Sequence, residues 1–226
     1  MRTFITSLAL FLAATTALAA PVPKPTEEEK RLQLWGKVAD PAGDCKVRVV
    51  KNQLVMSTPG GIRSGQTKKL RVEQEVEDDF EVEVKMIRMT EASHAAPRPL
   101  ATGRVSCGLF IGKDDAKYME FGQTSCVFPF NCHDCSDCSI WLWHNRGGTR
   151  IADMEVADEI CVRLTRKGNK VSKAYSKDGK DWTVSAILKS ELPQKVTVGV
   201  CLWHDVDQPC EAVFEHFKLT PLKKEK

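Results

Sequence analysis

The chain has 226 residues, 42% of them hydrophobic and 28% charged, with 33 Lys+Arg against 30 Asp+Glu and a net charge of +3. So balanced a surface offers no electrostatic case for nucleic acid or anionic lipid as a partner. The length suits a single β-sandwich domain behind a leader.

The first segment reads as that leader. Arg2 supplies a positive charge, Phe4 to Leu12 an apolar core, and Ala17-Leu18-Ala19 the small residues that a signal peptidase reads. A cleavable signal peptide is expected over 1–19. Its apolar run is too short for a permanent anchor, and no other window is long and apolar enough to cross a membrane. The expectation is a secreted or periplasmic protein, with no membrane insertion after cleavage. Ala20 to Arg31, APVPKPTEEEKR, is proline-rich and then charged, so 20–34 reads as a linker before a domain at 35–222. All nine cysteines lie beyond the leader. In an oxidising compartment most of them are expected in disulfides, although an odd number cannot all pair within one chain.

The domain reads as strands. Lys46 to Val55 is one β-rich run before Thr58-Pro59-Gly60-Gly61. Glu75, Glu77, Asp78 and Asp79 look like an acidic turn. Asp79 to Met86 then alternates, with Phe80, Val82, Val84 and Met86 on one face and Glu81, Glu83 and Lys85 on the other. Ser106 to Ile111 and Lys117 to Phe121 flank a turn-rich break, and Ser139 to His144 is a further strand. Ile160, Val162 and Leu164 share a face before a turn at Lys167-Gly168-Asn169. Asp178-Gly179 reads as a hairpin turn between Val171–Ser176 and the alternating Trp182, Val184 and Ala186. Lys195 to Trp203 and Ala212 to Leu219 close the domain. The spacing predicts no helix of three turns, and the whole reads as an all-β sandwich or barrel.

Several stretches sharpen this. Trp35-Gly36-Lys37-Val38-Ala39-Asp40-Pro41, Tyr175-Ser176-Lys177-Asp178-Gly179-Lys180-Asp181-Trp182, Lys195-Val196-Thr197-Val198-Gly199-Val200 and Phe214-Glu215-His216-Phe217-Lys218-Leu219 follow one another in an order that resembles the concanavalin A-like lectin/glucanase superfamily. Within it they look like exported bacterial domains of the "regulation of enolase protein"-like type. The resemblance implies a jelly-roll sandwich of two antiparallel sheets, one concave, across which some relatives bind or cut glycans. Function still has to be argued from a site. The cysteine-rich segment 126–138 departs from that pattern and reads as an elaborated loop.

That segment, CVFPFNCHDCSDC, has three possible uses. Cys126, Cys132, Cys135 and Cys138, with His133, have donors of the kind zinc takes, but overlapping CxxC spacing is a weak signal and exported thiols tend to oxidise. A redox motif needs a βαβ setting that is missing here. Disulfides within the cluster, or to Cys107 and Cys161, are the expectation, with no cofactor required. Cys201 and Cys210 stand symmetrically about Asp205-Val206, so a hairpin would set them at disulfide range. His204, Asp205 and Asp207 between them are candidate cation ligands, though a polar turn tip explains the same composition.

For glycan chemistry, Glu81 and Glu83 share a strand face but lack the rest of a glucanase motif, and a solvated face accounts for them. No nucleophile elbow and no histidine triad spacing occurs. Binding is the better-supported reading. Trp141 and Trp143 lie on one face of a strand with Arg146 just beyond, and Tyr118 and Glu120 on the preceding strand are placed to share that surface. Trp203 with His204 is a second candidate. The competing explanation is that the tryptophans fill the core. The expectation is a non-catalytic carbohydrate- or surface-binding domain whose partner is a glycan or a cell-envelope component. A glycan hydrolase of the same superfamily and a metal-stabilised structural protein are the alternatives.

Overall fold

A computed structural model describes residues 25–60, 67–91, 103–113, 117–127, 136–144, 147–154, 159–185 and 187–223. In chain order the elements are α1 (Glu27–Trp35), β1 (Lys37–Ala39), β2 (Lys46–Val50), β3 (Gln53–Thr58), β4 (Lys68–Glu77), β5 (Phe80–Met89), β6 (Gly103–Gly112), β7 (Tyr118–Val127), β8 (Ser136–His144), β9 (Gly147–Met154), β10 (Ile160–Lys167), β11 (Lys170–Ser176), β12 (Thr183–Val184), β13 (Leu188–Lys189), β14 (Lys195–His204) and β15 (Cys210–Pro221). They form two antiparallel sheets. One runs β1-β4-β14-β6-β7-β8-β9, the other β12-β11-β10-β5-β15-β3-β2 with β13 beside β11. This is the expected jelly-roll sandwich of the concanavalin A-like kind.

Period-two alternation builds the core between the sheets. Phe80, Val82, Val84 and Met86 of β5 point inward with Ile160, Val162 and Leu164 of β10. They meet Val105, Leu109 and Ile111 of β6 and Val196, Val198, Val200 and Leu202 of β14. Each such side chain contributes about 1.5–3 kcal/mol by leaving water. On the other side of β5, Glu83 pairs with Arg163 at 2.7 Å and Glu81 accepts from the Thr165 hydroxyl at 3.1 Å. Those two glutamates belong to the outer, solvated face of the eight-stranded sheet.

The local differences from the sequence reading have identifiable causes. Lys46–Val55 is a hairpin of β2 and β3, because Lys51 takes a left-handed conformation (φ 58) and turns the chain. Glu75 and Glu77 lie inside β4, and only Asp78-Asp79 turns, with Asp78 at φ 64. Gly168 (φ 57) makes the expected tight turn between β10 and β11. The Asp178-Gly179 corner is wider than a two-residue hairpin: Asp178 accepts from the Ser176 hydroxyl and from the amides of Lys180 and Asp181, and the return beside β11 is split between Thr183-Val184 and Leu188-Lys189. The proline-rich lead-in was expected to be a linker throughout. It carries α1, started by a capping box in which Thr26 and Glu29 bond reciprocally. Trp35 at its end is buried and stacks on Phe217 at 5.6 Å, which pins the helix to the sandwich. Among the described residues, no helix is long and apolar enough to cross a membrane.

Candidate functional site

The seven-stranded sheet has a second face, turned away from the core, and that face is unusual. Its residues alternate with the core positions: Lys69, Arg71 and Glu73 on β4, Thr197, Gly199, Cys201 and Trp203 on β14, Arg104, Ser106, Gly108 and Phe110 on β6, and Tyr118, Glu120, Gly122 and Thr124 on β7. An open antiparallel sheet leaves such a face in water. Here Phe110 is 1% exposed, Cys201 3%, Glu120 6% and Trp203 8%.

Curvature explains the burial. The ammonium of Lys69 on β4 lies 5.0 Å from the centre of the Tyr118 ring on β7, with β14 and β6 between them. In a flat sheet those strands stand about 14 Å apart, three spacings of ~4.8 Å. The sheet therefore curls into a trough whose walls approach each other across a narrow floor. Glycines permit the curl. A Cβ on Gly122 would sit 2.1 Å from the Cys107 carbonyl oxygen, one on Gly108 2.4 Å from that of Phe121, and one on Gly199 2.0 Å from that of Val72. Glycine inside a strand commonly marks such a close approach.

The trough is lined by rings, hydroxyls and charges. Phe110 and Tyr118 stack at 6.1 Å, with Arg71 4.6 Å over the first ring and Lys69 over the second. Trp203 lies under the Arg104 guanidinium at 5.3 Å, and Asp205 holds that guanidinium at 3.3 Å. Glu73 lies 3.1 Å from Arg71. On the floor, the Ser106 and Thr124 hydroxyls share a hydrogen bond of 2.8 Å.

The residues singled out in the sequence fall here in part. Tyr118 and Glu120 face the trough on β7, and the register sets Trp143 of β8 opposite Glu120 and Trp141 opposite Gly122. Trp141 is half-buried on that face, whereas Ile140 and Leu142 beside it enter the core. For Trp143 only the strand position is described, and Arg146 lies outside the described residues. Sequence reasoning missed Lys69, Arg71, Glu73 and Phe110. The signal available for the site was the trio Gly108, Gly122 and Gly199, set inside strands where glycine is otherwise unfavourable.

Other expectations are corrected. Cys201 and Cys210 do not face each other in a hairpin: β14 and β15 belong to different sheets, and both residues are thiols. The Cys201 thiol donates to the Gly108 carbonyl at 3.6 Å and the Cys210 thiol to that of Gln208 at 3.6 Å. His204 is enclosed in the interior with Nδ1 at 3.1 Å from the Val206 carbonyl, so it does not join Trp203 in the trough or offer itself to a cation. Cys107 and Cys126 are buried on β6 and β7, and Cys161 is a buried thiol on β10. Cys132 and Cys135 lie outside the described residues, as does the Cys138 side chain, so the zinc and staple readings of 126–138 concern residues beyond the described set.

Burial, with the Glu120 carboxylate nearby, pushes the Cys201 thiol well up, the opposite of an activated nucleophile. Burial likewise pushes the His204 imidazole down, keeping it neutral and enclosed. Glu73 on β4 and Glu120 on β7 stand in register on this face, with Gly199 and Phe110 between them. Away from the trough, Asp40, Asp44 and Cys45 bring ligand atoms within 4.8 Å of one another. The loop accounts for them itself: Asp40 accepts from the amides of Ala42 and Cys45, Asp44 pairs with Lys68, and burial first, then Asp40, pushes the Cys45 thiol up to about 12.

No protein-family model matches the chain, and neither does any curated protein sequence. Solved structures do. A functionally unknown protein from Saccharomyces cerevisiae superposes with a TM-score of 0.64 at 14% identity, over 85% of this chain and 98% of that one. The alginate lyase of Klebsiella pneumoniae matches with 0.50 at 11% identity, over 79% and 85%. The exoplasmic/lumenal domain of VIP36 in its Ca2+/Man2-bound form matches with 0.51 at 10% identity, over 84% and 82%. These likenesses show the fold: a concanavalin A-like jelly-roll sandwich of two antiparallel sheets. Within that fold the particular protein is set by its own trough, not by any neighbour's activity.

Proposed function

We propose that this protein is an exported carbohydrate-binding domain, akin to exported bacterial domains of the "regulation of enolase protein"-like type, that holds a glycan in the trough of its seven-stranded sheet. The observation that carries this reading is the trough itself. It is a curled sheet face with the half-buried Tyr118 and Trp141 on its walls and Lys69 and Arg71 beside them, above the buried Phe110, Trp203, Ser106, Thr124 and Glu120. Sugars bind where rings meet their apolar faces and polar groups replace water at their hydroxyls. Support comes from the fold as well, since the lyase is named for alginate and the VIP36 domain is seen with Man2. Catalysis has no comparable observation behind it.

The test is a glycan array probed with the mature protein and with Tyr118→Ala and Trp141→Ala. Binding to a defined glycan set that both substitutions weaken by about tenfold is the expected result, the equivalent of ~1.4 kcal/mol for one lost ring contact. An array without hits, or hits indifferent to both substitutions, refutes the proposal.

A further inference from the structure

At the Tyr118 end, the trough differs from an ordinary sugar platform. Each described ring with a described cap is covered by a cation: Phe110 by Arg71, Tyr118 by Lys69 and Trp203 by Arg104. A neutral sugar that stacked on these rings would have to displace the cations. Glu73 balances Arg71 and Asp205 balances Arg104. Lys69 is different. Among the described residues no carboxylate lies within ion-pair distance of its ammonium, whose neighbour is the Tyr118 ring.

The surroundings of Tyr118 lean the same way. A cavity of about 360 Å³ opens against that ring, lined by Lys117, Tyr118, Met119 and the Leu188–Leu192 stretch. Its charged lining is Lys117, Lys189 and Glu191, and Lys69 lies over the Tyr118 ring beside it. A volume of that order is at the lower end for small-ligand sites. A lysine held on an aromatic face is partly ordered before a ligand arrives, which lowers the entropic cost of using it.

We infer that the Tyr118 end of the trough takes an acidic sugar unit, one bearing a carboxylate or a sulfate ester, with Lys69 as the residue that meets the anionic group. This rests on the glycan-binding reading and names the class of glycan. Arg71 and Phe110 then act as the neighbouring wall.

The experiment measures binding of the mature protein to dextran sulfate, polygalacturonate and unmodified dextran, alongside Lys69→Ala, Lys69→Arg and Lys46→Ala. Lys46 is an exposed lysine on β2, at the edge of the other sheet, and controls for non-specific attraction to polyanions. The expected result is binding to at least one polyanion and not to dextran, weakening as salt rises from about 50 to about 500 mM. Lys69→Ala should lower affinity about tenfold, with Lys69→Arg retaining it and Lys46→Ala matching the parent. Preference for dextran sulfate identifies a sulfate ester, preference for polygalacturonate a carboxylate. Equal binding to dextran, or Lys69→Ala behaving like Lys46→Ala, overturns the inference. Failure of all three polymers with neutral hits on the glycan array removes this inference and leaves the trough reading standing, whereas silence on both removes the two together.

Discussion

Replacing Lys173 by methionine is expected to stabilise the protein at neutral pH, and the amount follows from where that lysine sits. It lies on the inward side of β11 between Val171 and Tyr175, opposite Leu164, and is 2% exposed. Burial pushes its ammonium down from 10.5 to about 8. At about 1.4 kcal/mol per pH unit of displacement, that is a cost on the order of 3 kcal/mol. Below pH 8 the folded and unfolded chains both carry the charge, and the folded state bears the whole penalty. Between pH 8 and 10.5 the unfolded chain binds the extra proton, so stability rises with pH and the penalty disappears. Methionine fills a similar volume without a charge. Urea unfolding of parent and Lys173→Met should therefore show the variant ahead by about 3 kcal/mol at pH 7, with the gap mostly closed by pH 10.5. Comparing the two proteins at each pH cancels the other titrating groups. A variant less stable at pH 7, or an advantage that does not change with pH, refutes the reasoning.

Three further outcomes are expected. Gly122→Val should cost at least about 2 kcal/mol in urea unfolding, because its Cβ would meet the Cys107 carbonyl oxygen at 2.1 Å and backbone cannot swing aside as a side chain can; a neutral substitution contradicts the tight curl. Asp178 is held down to about 2 by the amides of Asp181 and Lys180 and by the Ser176 hydroxyl, so its contribution is present above pH 3.8 and lost as pH falls through 2. Asp178→Ala should flatten the acid limb of the stability curve in that window, as thermal melts from pH 5 to pH 2 will register. Trp35→Ala removes the ring that stacks on Phe217 and should cost about 3 kcal/mol, freeing α1 so that trypsin cuts at Lys30 or Arg31 far sooner than in the parent.

What could be read from the sequence divides along a physical line. Strict alternation is local, so Phe80 to Met86 announced both their strand and their inward face. The two-sheet architecture followed from many such segments and from the resemblance at the ends of the domain. That Tyr118, Glu120 and Trp141 share one sheet face was legible because neighbouring strands and a shared parity are also short-range properties. The partners across the trough were not, since Lys69 meets Tyr118 only after β14 and β6 have been laid between their strands. The cysteine pair failed for the same reason. Symmetry about Asp205-Val206 suggested a hairpin, but the connection crosses from one sheet to the other, which no spacing reveals. Lys51 shows a smaller version: a lysine in a left-handed turn lacks the Asn-Gly or Gly-rich signature by which such turns are recognised. The strand glycines carried the clue to the curl, visible in sequence and easily passed over as weak strand formers.

The most direct test of the central claim is amide chemical-shift mapping of the isotope-labelled protein with the strongest-binding glycan from the array. Perturbed amides are expected to cluster on β14, β6, β7 and β8, at residues such as Cys201, Gly108, Glu120 and Trp141, with the outer face of β5 and β10 unmoved. Perturbations centred on the eight-stranded sheet, around Glu83 and Arg163, would contradict it.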